Sequence, residues 1–292
     1  MNAQTEEHLK SARAEAHAIS LTNAGLDPND SSLIADIAVS FDGTWSKRGF
    51  TANNGIGFVI SADTGKVLDY SIHSKYCLQC KINEARLDKV TFEAWLEAHT
   101  CNKNHDGSSS SMEVAAAINI WERSKSYDGI RYRYMISDGD SKAYNSVRGT
   151  YGLCDMCRKY GDMSKASKEY KSWLESASYR QYSKDHEEET ALCQCVYKMD
   201  CVGHVQKRVG KHLRNLHKAG GKLTDGKSIK GSQGRLTEVA IDRLQRYYGN
   251  AIRRNVDPLA KTADEIDKAV CKMRTAINAT LHHSVATSNA AE

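Results

Sequence analysis

The stretch Asp36-Ile37-Ala38-Val39-Ser40-Phe41-Asp42-Gly43 constrains the fold of this 292-residue chain more than any other. Ile37, Val39 and Phe41 alternate with small or polar residues, the period of a strand with one face in a core. Asp42-Gly43 is expected to break that strand. A carboxylate at the end of a rigid strand, followed by Gly, is a common way to offer an oxygen ligand to a metal ion. For one Asp-Gly alone a solvated turn is the commoner explanation, so Asp42 needs a partner elsewhere in the chain.

The order of the remaining elements supplies one. Residues 1–32 read as a peripheral polar helix (Glu6 to Ile19) and a loop, with a main domain over 33–283 and a disordered tail over 284–292. Gly55 to Ile60 and Val67 to Ile72 are the second and third strands, close enough in sequence for an antiparallel meander. A helix is expected from Met112 to about Ser126, with Val114, Ile118 and Trp121 at helical spacing. Arg131 to Ser137 is a fourth strand that also ends in acids, at Asp138-Gly139-Asp140. Val196 to Cys201 is a fifth, followed by a basic helix from His204 to about His217 and two closing helices, Leu236 to Arg254 and Ala263 to His282.

Three meander strands, a helix, two further strands and then helices is the order of a ribonuclease H-like fold. The expected class is therefore α/β, a mixed five-stranded sheet flanked by helices. Two cysteine-bearing insertions (76–106 and 151–195, the latter helical around Tyr170 to Tyr182) and a basic C-terminal helical insertion (204–255) complete it. In that fold the first and fourth strands are neighbours. Asp42 and Asp138 would then share metal ions, with Asp140 as a rival ligand. Phosphoryl transfer uses such a pair of divalent cations, about 3.5–4 Å apart.

Composition narrows the class. Hydrophobic residues make up 40% of the chain and charged residues 26%, ordinary values for a globular protein. No apolar run approaches the roughly 18 residues of a membrane span, and Met1 to Lys10 is too polar for a signal peptide. An intracellular protein with no membrane partner is expected, and in that setting nine cysteines point to metal ligands before disulfides. Gln206 to Arg254 carries 13 Lys and Arg against 3 Asp and Glu. That block suits a polyanion as well as it suits a solvated helical face.

Cys77-x-x-Cys80 with His99 and Cys101 offers three thiolates and an imidazole, a set suited to a closed structural Zn²⁺; His105 could replace His99. The insertion has few apolar residues with which to build its own core, which favours zinc. Cys154-x-x-Cys157 with Cys193-x-Cys195 is a second possible zinc site, equally readable as buried thiols. Cys201-x-x-His204 stands where the fifth strand passes into the basic helix, and a structural role is expected for it, with a second zinc site as the other possibility. On that helix Lys207, Arg208, Lys211 and Arg214 are candidate contacts to DNA phosphates, as are Lys47 and Arg48 beside Asp42.

Several motifs in order carry a resemblance. They are Asp42-Gly43-Thr44-Trp45-Ser46-Lys47-Arg48-Gly49-Phe50, Lys75-Tyr76-Cys77 with Cys80, and Gly107-Ser108-Ser109 with Met112-Glu113-Val114. Gly139-Asp140-Ser141-Lys142, Asp200-Cys201-Val202-Gly203-His204-Val205-Gln206-Lys207-Arg208 and Leu244 to Asn255 follow. Together they resemble the Mutator-like transposase domain of eukaryotic DNA transposons from about Val39 to His283. The resemblance implies an Asp-Asp-Glu core in the nucleus, using Mg²⁺ or Mn²⁺ to cut transposon ends and join the freed 3′-hydroxyl to target DNA. It implies DNA as partner, a homo-oligomer, and no small-molecule substrate.

In such transposases the third acid follows the helical insertion, and here Glu265 has the expected residue type. Matching Ala276 to Thr280 and His283 to the family's late helix instead brings the acidic position near Cys271. From that departure comes the alternative: a decayed or domesticated relative that binds DNA and chromatin partners without cutting. Glu113 is the lesser candidate, a solvent-facing helix carboxylate being its commoner explanation.

Overall fold

A computed structural model of the chain describes residues 3–47, 51–127, 129–138, 142–153, 194–223, 226–231, 235–257 and 263–289, with the isolated positions 158, 172 and 176. The chain divides into two compact units, Met1–Met199 and Asp200–Glu292.

The first unit is built on a mixed sheet. Its strands are β1 (Ala35–Trp45), β2 (Asn54–Ser61), β3 (Val67–Ser74), β4 (Ile130–Ser137) and β5 (Tyr197–Asp200), the last closing at the boundary between the units, in the order β3-β2-β1-β4-β5. β1 pairs antiparallel with β2, β2 antiparallel with β3, and β1 parallel with β4. Ile37, Val39 and Phe41 are buried, so the alternation read from the sequence is the alternation of a half-buried strand.

Asp42-Gly43 does not end β1. The strand runs on to Trp45 because β2 keeps pairing with it, Asp42 opposite Phe58, Gly43 opposite Gly57 and Trp45 opposite Gly55. The parallel ladder to β4 stops earlier, at Ser40 opposite Ile136. Asp42 thus stands just past the point where β1 and β4 part, which is where a side chain can meet one from the end of β4.

Two helices cover the sheet. α1 (Ala3–Asn23) is not peripheral: Ala12, Ala16 and Leu21 enter the core, and the nearly buried Arg13 donates to the Leu68 carbonyl at 3.1 Å. After β3 come two short helices, α2 (Leu78–Arg86) and α3 (Lys89–Ala98), neither with a buried residue. α4 (Ser111–Ser124) then returns across the sheet. Its buried side chains are Met112, Ala116, Ala117, Ile120, Trp121 and Ser124, whereas Ile118 is exposed. The buried stripe therefore keeps Trp121 of the expected Val114-Ile118-Trp121 register but runs through the alanines and leaves Ile118 outside. Alanine lets the helix approach the strands closely, and a Cβ on Gly57 would lie only 2.5 Å from the Ala116 Cβ.

A polar network ties α4 to β3. Asp69 is almost fully buried and accepts from Arg123 Nη2 at 2.6 Å, Arg123 Nε at 3.1 Å and the Tyr127 hydroxyl at 2.7 Å. Arg13 stacks over the Tyr127 ring at 4.1 Å. The short α5 (Lys142–Val147) packs against α4 and buries Ala143 and Val147.

The second unit is helical: α6 (Val202–Ala219), α7 (Glu238–Arg253) and α8 (Ala263–Asn289). α8 continues through most of the stretch expected to be a disordered tail. α6 and α7 approach closely at glycines, Gly210 lying under the Gln245 amide and Gly249 under the Gln206 amide. Arg253 Nη1 donates to Gln206 Oε1 at 2.9 Å, and Arg214 Nη1 to Gln245 Oε1 at 3.4 Å. Gln206, Gln245 and Gly249 belong to the motifs named above, and their work here is to join two helices.

Candidate functional site

Trp45 anchors the far end of β1. Its indole N–H donates to the Ser109 carbonyl at 2.9 Å, and the Ser109 hydroxyl donates to the Ala52 carbonyl at 2.9 Å. The turn before α4 is thereby held against β1, and the first turn of α4 delivers Glu113 to the same place. A Cβ on Gly43 would stand 3.1 Å from Glu113 Cγ. Gly43 is therefore the residue that lets this carboxylate lie beside Asp42.

Three acids share this corner. Asp42 is exposed, its Oδ1 accepting from the Gly43 N–H at 2.8 Å, and Asp138 is exposed at the end of β4. Glu113 is half-buried. Burial first, then the charges of Asp42 and Asp138, hold its carboxyl above the usual Glu range. Like charges gathered at a partly desolvated corner are unfavourable until a cation joins them, and an oxygen-only donor set suits Mg²⁺ or Mn²⁺. The donor chemistry suits such an ion, while the three carboxylates are not drawn within 4.8 Å of one another.

Glu113 was the lesser candidate from sequence, yet a signal for it existed. Glu113, Ala116, Ala117 and Ile120 fall at i, i+3, i+4 and i+7, so they share one face. The three that follow Glu113 are buried, and Glu113 is the acidic end of the sheet-facing stripe. Glu265 is exposed in the first turn of α8, within the second unit. Asp140 lies outside the described residues.

The cysteine insertion folds as α2 and α3, with Asp88 capping α3 through bonds from the Val90 and Thr91 N–H groups. It brings Cys77, Cys80, His99 and Cys101 together, with all four ligand atoms within 4.8 Å of one another. Cys77 Sγ is 3.2 Å from His99 Nε2, and Cys80 Sγ is 3.4 Å from Cys101 Sγ. A tetrahedral Zn²⁺ site with Zn–S near 2.3 Å sets donors roughly 3.5–3.8 Å apart, so these four need shift by only a few tenths of an ångström to about 1 Å to close on an ion.

Hydrogen bonds from the Cys80 backbone and from His99 draw the Cys77 thiol down to about 6. Burial, with the Cys101 and Cys77 thiols close by, pushes the Cys80 thiol up to about 12. Trp95 stacks on the His99 ring at 4.2 Å and fixes its plane. This Cys₃His cluster can hold a metal such as zinc. His105, the alternative ligand, bonds Ser111 Oγ at 2.8 Å instead. Among the described residues no other group of three or more His, Cys, Asp or Glu is gathered so tightly; the three carboxylates stand further apart.

Of the second cysteine set, Cys154, Cys157 and Cys193 lie outside the described residues, and Cys195 is buried. Cys201 caps α6 by position without a side-chain cap bond, and His204 follows in the first turn with its Nδ1 buried and unpartnered. Two of the candidate DNA contacts are engaged within the protein. Arg214 is paired with Glu238 at 3.0 Å and with Asp242, and Arg208 with Asp200 at 3.2 Å. Lys207 and Lys211 are exposed one turn apart on α6, and Lys47 is exposed after β1; Arg48 lies outside the described residues. No helix among the described residues is long and apolar enough to cross a membrane.

No curated protein and no solved structure matches the chain. The family model of the Mutator-like transposases does, over residues 1–197 and 184–288. That match spans nearly the whole chain, including β1 with Asp42, the cysteine insertion, α4 with Glu113 and β4 with Asp138. The chain belongs to the Mutator-like transposase family.

Proposed function

We propose that this chain is the catalytic core of a metal-dependent DNA transposase on a ribonuclease H-like sheet, with Asp42, Asp138 and Glu113 as its carboxylate set. The observation that carries the reading is the meeting of Glu113 with Asp42, a close approach that Gly43 admits. A helix carboxylate feels both strand-end aspartates, and the strands bearing those aspartates are neighbours. Family membership supplies the substrate, DNA.

Asp42, Asp138 and Glu113 would hold Mg²⁺ or Mn²⁺. When bound, such ions lower the pKa of an attacking water or 3′-hydroxyl and offset charge on the departing oxygen. The chain's own part is positional. The Gly43 N–H holds one Asp42 oxygen and leaves the other for a ligand. Glu113 keeps a proton more readily than a free Glu, and a bound cation would favour its charged form. In the cutting step water oxygen bonds phosphorus and the P–O3′ bond breaks, leaving a 3′-hydroxyl. In joining, that 3′-hydroxyl oxygen bonds a target phosphorus and the target P–O3′ bond breaks, the hydroxyl proton going to solvent and the departing target 3′-oxygen taking one up. Lys207 and Lys211 suit backbone phosphates. Three thiolates and an imidazole with no open position suit a structural Zn²⁺. Work on transposon ends and target implies a nuclear protein acting as an oligomer.

Glu265 remains the acid that the family resemblance offers, so the experiment includes it. Divalent-dependent cleavage and joining of a labelled duplex carrying the element's own ends is compared for wild type and four variants. Asp42→Asn, Asp138→Asn and Glu113→Gln are each expected to lose at least about 10²-fold, the usual cost of removing a group that stabilises transition-state charge. Glu265→Gln loss alongside undiminished Glu113→Gln activity would return the third role to α8. DNA binding by wild type without any cleavage favours the decayed relative, for which the Cys271 register argues.

A further inference from the structure

The cysteine cluster and the carboxylate corner are joined by one short run of chain. Two ligands, Cys77 and Cys80, stand where the insertion begins, and two, His99 and Cys101, stand where it ends. Three residues after Cys101 the chain is clipped to β3, the edge strand of the sheet. The Asn104 and His105 N–H groups both donate to the Ser74 carbonyl, at 2.9 and 3.0 Å. Asn104 Oδ1 accepts from the Ser74 N–H at 2.7 Å, and its Nδ2 donates to the Ile72 carbonyl at 2.9 Å. His105 then bonds Ser111 Oγ, on the first residue of α4, and Lys75 Nζ donates to Ser109 Oγ at 3.2 Å. Glu113 follows two residues after Ser111.

Between Leu78 and Asp106 no residue is buried, and Cys77 is the only buried member of the cluster. α2 and α3 therefore have no apolar core to hold the two ends of the insertion together.

We propose that Zn²⁺ held by Cys77, Cys80, His99 and Cys101 is a positioning clamp for the catalytic corner, locking residues 104–105 onto β3 and so setting the first turn of α4 that carries Glu113. The insertion is then a strut between the sheet edge and the acid site. The inference rests on the cluster being a zinc site and not on the DNA chemistry.

The test uses the full chain. Zinc content by elemental analysis is expected to be at least one per chain and to fall by one in Cys80→Ser, and Co²⁺ replacement to give the thiolate charge-transfer and visible bands of a tetrahedral site. Hydrogen exchange is then followed in zinc-loaded protein, in protein stripped by a chelator, and after zinc is returned. Stripping should speed exchange at Asn104, His105, Ser111 and Met112 by at least about tenfold, local opening that leaves Val39 to Phe41 protected. Returning zinc should restore it.

Cys80→Ser should behave as the stripped protein, while His99→Cys, which keeps four metal donors, should retain zinc and protection. If Cys80→Ser loses protection in β1 as well, the reversible stripping of wild type decides. A chain that takes up no zinc, or a stripped protein with unchanged exchange at 104–112, overturns the clamp. Neither readout uses DNA. A chain that cuts nothing can still show the clamp, and loss of the clamp leaves the transposase reading to its own assay.

Discussion

Gly57→Ala tests the packing that sets Glu113 beside Asp42. The added Cβ would stand 2.5 Å from the Ala116 Cβ and 3.2 Å from Phe41 Cε2. Carbon atoms rest at about 3.5–4.0 Å, so α4 and β2 must separate by about 1 Å at this point. Neither neighbour can swing aside, since one is a methyl on a helix and the other a buried ring edge-on to Trp121 at 5.8 Å. Overpacking of this kind costs about 1–3 kcal/mol. Displacing a reacting constellation by about 1 Å costs roughly 10²-fold in rate.

Urea unfolding of wild type, Gly57→Ala, Ala116→Gly and the double variant gives the coupling. Ala116→Gly alone should cost about 1 kcal/mol through helix propensity. In the double variant the clash is gone, so it should be more stable than the sum of the singles by about 1–2 kcal/mol. Divalent-dependent cleavage should fall in Gly57→Ala and recover in part in the double variant. A coupling within about 0.3 kcal/mol of zero, or Gly57→Ala with wild-type stability, would refute the close approach of α4 on which the site geometry rests.

Glu113→Gln should be more stable than wild type at pH 7, both zinc-loaded and without added Mg²⁺ or Mn²⁺. The folded Glu113 carboxyl lies above its unfolded value, so its charge opposes folding as pH rises; the two proteins should converge near pH 4, about where the unfolded Glu titrates. Superimposable urea curves at both pH values would rule this out. Asp69→Ala leaves Arg123 and Tyr127 without their shared acceptor and should cost about 2–3 kcal/mol, discounted because Arg123 is 37% exposed; a loss under about 0.5 kcal/mol would contradict the network. Tyr127 is pushed up to about 12 by burial and by Asp69, so its contribution is present below about pH 10 and lost as pH rises towards 12. Tyr127→Phe should cost about 1 kcal/mol at pH 7 and flatten the decline above pH 10, measured by urea midpoints across that range.

Much of the sheet was legible because its signals are local. Alternation at Ile37, Val39 and Phe41 reports a half-buried strand wherever that strand sits, and Cys77-x-x-Cys80 with His99 and Cys101 reports a ligand set from residue types alone. The order of elements was enough to expect β1 beside β4, and the ladder from Ala35 to Ser40 bears that out. Helix α4 was found, but its buried face was not. Of the three residues that marked its apolar face, Trp121 is buried but Ile118 is exposed, and the sheet took Ala116 and Ala117 because closeness of approach decides burial there.

Residue chemistry and spacing along the chain thus determined the strands, the cysteine ligands, the acids at the ends of two strands and the family motifs. Tertiary structure decided what those residues do. Asp42 did not end its strand, since a ladder continues wherever a partner strand continues, and β2 lies in a different stretch of sequence. Gly43, Gly57 and Ala116 gained meaning only from the helix that passes over them. Arg208 and Arg214 were committed to carboxylates on their own unit, a choice set by distance in space. Glu113 reached Asp42 and Asp138 because electrostatic coupling follows spatial separation, and no spacing along the chain encodes that.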